Sequence, residues 1–71
     1  MFDWSSCSAV ESDPQIQSGA WVLRGTRVPV ASLFQNLEDG AQIDEYLEWF
    51  PGVQRSQIES VLEFAARMAV A

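Results

Sequence analysis

The chain has no histidine, no lysine and one cysteine, Cys7, among its 71 residues. Each shortage excludes a chemistry. Without histidine there is no side chain whose ordinary pKa suits it to act as a base near neutrality, and without lysine there is no Schiff-base nucleophile. One thiol cannot close an internal disulfide, and with no histidine there is no credible zinc set. Cys7 therefore reads as an incidental or half-buried thiol and not as a redox centre. Ser5, Ser6 and Ser8 have no visible base to activate them, and no glycine-rich phosphate loop of recognised spacing is present. No apolar run approaches the roughly 18 residues needed to span a bilayer, and the N-terminus lacks the basic and long apolar stretches of a signal, so the cytoplasm is the expected location. The expectation is a protein without catalytic residues, cofactor, metal, small-molecule substrate or membrane contact.

Positive charge is also scarce. Ten acidic residues face four arginines, for a net charge of −6 and a pI near 4.1. Phosphate neutralisation supplies most non-specific affinity for DNA, so the chain alone should bind DNA weakly. An acidic protein is better suited to a basic partner, which electrostatic steering would bring to it faster. The hydrophobic fraction of 48% is that of a folded domain. A domain of this length has a marginal core unless a partner adds to it, and a homodimer is expected.

Residues 1–12 show no sustained periodicity and are expected to form an irregular arm, whose aromatics Phe2 and Trp4 and whose Val10 could dock on the body or on another copy. Residues 13–71 form the single domain. Asp13-Pro14 is a turn signal. Trp21-Val22-Leu23, bounded by Gly19 and Gly25, is rich in strand formers, and Val28 to Val30 offers a second strand. With Arg24-Gly25-Thr26-Arg27 as the bend, the two form a short hairpin or pair with strands of another subunit. Pro29 confines the second strand to an edge or to the entry of a helix.

Helical spacing then takes over. Val30, Leu33, Phe34 and Leu37 stand at i, i+3, i+4 and i+7 before Gly40. Ile43, Tyr46, Leu47 and Phe50 repeat the pattern before Pro51-Gly52 stops it, and Ile58, Val61, Leu62, Ala65 and Met68 form a third stripe. The connection between the second and third helices is short, as in a helix-turn-helix unit.

The phrase Gly25-Thr26-Arg27-Val28-Pro29-Val30 resembles the signature of the domain of unknown function 433 family, short prokaryotic proteins many of which look like antitoxins of toxin–antitoxin pairs. The resemblance extends to Asp13-Pro14 and Ile16, to Gly40, to Phe50-Pro51-Gly52-Val53, and to Gln57-Ile58, Leu62 and Ala65. Phe2-Asp3-Trp4 and Cys7 look like one branch of the family. The resemblance implies a mainly α fold, an arm and a short β-hairpin or edge strand followed by three helices in a winged-helix or homeodomain-like helix-turn-helix. It also implies an antitoxin that masks a toxin, a PIN-like ribonuclease, and helps repress its own operon. The alternatives are a stand-alone transcriptional regulator and a structural homodimer that ignores DNA. Positions 42 and 54, where the family usually has threonine or serine, carry glutamine here. A weaker cap costs each helix about a few tenths to 1 kcal/mol, partly offset at the second by Asp44 and Glu45 in its first turn.

Two sets of residues are candidates for function. Gln54, Arg55, Ser56 and Gln57 open the third helix, the place from which a helix-turn-helix reaches base edges or phosphates. Glu59 and Glu63 on the same polar side oppose that use, and a helical pair whose polar face simply meets water is the alternative. The second set, Trp21, Val22, Arg24, Arg27, Val28 and Trp49, is expected at a partner or dimer interface. A glycine between two arginines allows close approach of a phosphate, a carboxylate or a second chain. The plainer alternative pairs those arginines with nearby carboxylates. Thr26 is expected to end the strand by bonding backbone. Trp21 also reads as core. Trp49 stands off the apolar stripe of the second helix, either as a partly exposed anchor or buried against the third.

Overall fold

A computed structural model describes residues 3–69. Two short antiparallel strands, β1 (Val10–Ser12) and β2 (Trp21–Leu23), precede three helices, α1 (Val30–Glu38), α2 (Ile43–Trp49) and α3 (Arg55–Ala69). Single 3-10 turns lie at Trp4–Ser6 and Gln17–Gly19. No helix among the described residues is long and apolar enough to cross a membrane.

The three helices fall where the apolar spacing places them, and their ends follow from local chemistry. Gly40, at φ +98°, takes the left-handed conformation that ends α1. At the two glutamine positions the cap comes from three residues further on: the Gln42 amide donates to Glu45 Oε1 (2.9 Å) and the Gln54 amide to Gln57 Oε1 (2.9 Å). The expected weakness at both helix starts is thus offset by the acceptor at the third helical position.

The sheet differs from the expected hairpin. The partner of β2 is β1, with Glu11 opposite Val22 and Val10 opposite Leu23. Residues 28 and 29 do return along the other side of β2, but only as a single Val22 to Pro29 bridge and one bond from the Leu23 amide to the Val28 carbonyl (2.9 Å). Proline has no amide to extend the ladder, and α1 begins at the next residue. Both sides of β2 are therefore occupied within the chain.

The segment read as an irregular arm is built into the body. It supplies β1, and Cys7 and Val10 lie in the main core with Leu23, Leu33, Tyr46 and Ile58. Trp4 packs its ring against Phe64 of α3 (centroids 5.2 Å apart) and Phe34 of α1 (6.3 Å). That contact also shifts the buried stripe of α3, which runs through Ile58, Val61 and Phe64, while Leu62, Ala65 and Met68 are half-buried.

Beneath α1, the Ser32 hydroxyl donates to the Pro29 carbonyl (2.8 Å), which leaves the Tyr46 hydroxyl as donor to Ser32 Oγ (2.8 Å). Tyr46 is fully buried, and burial raises its pKa above the ordinary 10.0.

Candidate interaction surface

The arginine turn is held from inside the molecule. Gly25 has φ +80°, a conformation that favours glycine, and its amide donates to Glu11 Oε2 at 2.7 Å. Arg24 reaches across β1: Nε donates to the Ser8 carbonyl (2.8 Å), Nη2 to the Val10 carbonyl (3.0 Å), and Nη1 lies 3.7 Å from Glu11 Oε1. The anion suited to this turn is therefore the chain's own Glu11. Arg24 acts as a clamp between the two strands, although its side chain is 56% exposed. Thr26 does what its position suggests, its hydroxyl donating to the Leu23 carbonyl (2.7 Å) and accepting from the Val28 amide (3.0 Å).

The start of α3 lies against this turn. Gln57 Nε2 donates to the Arg24 carbonyl (2.8 Å), while its Oε1 caps the helix. Both ends of that amide are occupied, so Gln57 is a structural link and not a free reader of bases. Gln54, Arg55 and Ser56 are exposed. Arg55 forms an ion pair with Asp44 of α2, and an exposed pair of this kind contributes roughly 0 to 1 kcal/mol. Glu59 and Glu63 are exposed further along α3.

The remaining interface candidates separate by burial. Val22 is fully buried and presents no side-chain surface to a partner, and its backbone is paired on both sides, with Glu11 of β1 and with Pro29. Trp21 and Val28 are half-buried and Arg27 is exposed. Trp49 is 54% exposed. It lies one helical turn from Glu45, and Glu45 and Glu48 are exposed on the same helix. An exposed apolar ring thus stands on a helix rich in carboxylates.

An apolar groove of about 670 Å³ was not expected from the sequence. Trp4, Trp21, Pro29, Val30, Phe34 and Ala65 form most of its wall. Its residues come from the N-terminal turn, β2, α1 and α3, so no local periodicity could have revealed it; the only signal was an excess of aromatics over what so small a core encloses. Flanking Trp4 in sequence, Ser5 donates to the Asp3 carboxylate from both its hydroxyl and its amide and holds that carboxyl below its ordinary pKa. Among the described residues no group of acidic, histidine or cysteine side chains is placed to hold a metal ion.

These features define a small, mainly helical protein with a short two-stranded sheet and a surface of acidic, aromatic and apolar patches. A family model described as "protein of unknown function (DUF433)" matches residues 10–65, and the chain belongs to that family. Comparison with curated proteins and with solved structures gives no match.

Proposed function

We propose that the protein is a non-enzymatic, antitoxin-like binding protein that acts in the cytoplasm and masks a basic toxin, of the PIN-like ribonuclease class its family resemblance implies. The observation that carries this reading is Trp49, 54% exposed on a helix whose exposed residues include Asp44, Glu45 and Glu48. A nuclease that binds RNA must present positive charge. An acidic surface with an aromatic anchor can cover such a face, the carboxylates steering the encounter and the ring supplying buried area. Co-expression with the product of the adjacent reading frame tests it. The expected result is a stable complex in which ribonuclease activity is suppressed; free activity with no complex contradicts it.

A second reading is DNA binding through α2 and α3 used as a helix-turn-helix, alone or to repress the protein's own operon. It is favoured by Gln54, Arg55 and Ser56, exposed together at the start of α3. With a net charge of −6 and Gln57 engaged internally, affinity would come from a basic partner or from a homodimer that sets two copies of Arg55 side by side.

A further inference from the structure

We infer that the apolar groove bounded by Trp4, Trp21 and Phe34 is the seat of a cationic amphipathic segment of a partner protein. The inference rests on the masking reading only for the identity of that partner. The groove holds about 670 Å³, within the roughly 300–1,000 Å³ typical of binding clefts. Its wall is almost entirely carbon, and the small residues Ala20 and Ala31, both exposed, keep it open. Trp4, Trp21 and Phe34 are each half-buried, and a patch of apolar surface shared by three aromatic rings is costly to leave in water.

Charge selects the occupant. Asp3 precedes the wall residue Trp4 in sequence, and Glu38 follows the wall residue Phe34 by one helical turn on α1; both residues are exposed. Three of the four arginines are directed elsewhere: Arg24 to Glu11 and two β1-side carbonyls, Arg55 to Asp44, and Arg67 to a separate polar recess that includes Glu63. Arg27 stands two residues before Pro29. An apolar floor on a chain of net charge −6, with exposed carboxylates next to Trp4 and one turn from Phe34, matches a helix with one apolar face and lysines or arginines beside it. A second copy of this chain would meet like charge.

The test is titration of the full chain carrying Trp49→Phe, so that fluorescence reports only Trp4 and Trp21. The probes are a synthetic Leu/Lys peptide with a helical apolar stripe, its Leu/Glu counterpart, and a scrambled Leu/Lys peptide. Only the first should bind. Ala31→Arg, at an exposed groove position, should weaken it about tenfold or more, and Glu38→Lys should weaken it less. Ala66→Arg, exposed on α3 outside the groove wall, makes the same change in net charge and should leave binding intact. Equal loss in Ala31→Arg and Ala66→Arg, or equal binding of the Leu/Glu peptide, overturns the inference. In the chain with Trp49 intact, an affinity for the adjacent gene product that is unchanged by Ala31→Arg rejects the groove while leaving the masking reading in place. Selective peptide binding with no such complex does the reverse.

Discussion

The side-chain amide of Gln57 donates to the main-chain carbonyl of Arg24 at 2.8 Å, across 33 residues of sequence. This bond joins the first turn of α3 to the arginine turn, and the same amide caps the helix through its oxygen. Gln57→Ala should therefore cost about 1–2 kcal/mol, as the loss of a cap and one hydrogen bond together. Gln57→Glu keeps the acceptor and loses the donor, and should fall between. Denaturant unfolding of the three proteins checks the order.

Arg24→Lys should destabilise the fold by about 1 kcal/mol or more, although it conserves charge, because an ammonium cannot reproduce the forked contacts to the Ser8 and Val10 carbonyls. Glu11→Gln, which leaves an acceptor for the Gly25 amide, should cost less. A melting temperature for Arg24→Lys equal to that of the parent would show that the clamp contributes nothing.

Val22→Lys should unfold the protomer, not dissociate an oligomer. The side chain is fully buried, and an unpaired charge there would cost several kcal/mol. Circular dichroism at micromolar concentration distinguishes the outcomes. A folded monomer would contradict the enclosure of β2 by β1 and residues 28–29.

Stability should fall in strong alkali through Tyr46. Burial raises its folded pKa above the unfolded value near 10.0, so its contribution is complete below pH 10 and is lost as pH rises through the folded pKa. Ionisation also removes the proton donated to Ser32. Tyr46→Phe should be about 1 kcal/mol less stable at neutral pH and should lose less stability between pH 9 and 12. Parallel pH profiles for the two proteins would assign the alkaline transition elsewhere.

The helices were legible because their signals are local: Val30, Leu33 and Leu37 repeat at helical spacing, and Gly40 and Pro51-Gly52 end the runs. The sheet was not. Val10-Glu11-Ser12 is too short to show alternation, and its pairing with β2 depends on Arg24 and Glu11, which lie 13 residues apart in sequence. The same non-local contact changed the meaning of the arginine turn, whose anion proved to be internal. Exposure of Trp49 followed from its place off the α2 stripe, whereas burial of Phe64 depends on Trp4 arriving from the other end of the chain. The groove, built from four elements, has no counterpart in any single stretch of residues.

The most direct measurement is the affinity of Trp49→Ala for the protein encoded beside it, taken together with the melting temperature of the free variant. The account predicts an affinity loss of about 2 kcal/mol or more, the level of an interface anchor, with the melting temperature nearly unchanged. An affinity equal to that of the parent, or a large fall in melting temperature, would contradict it.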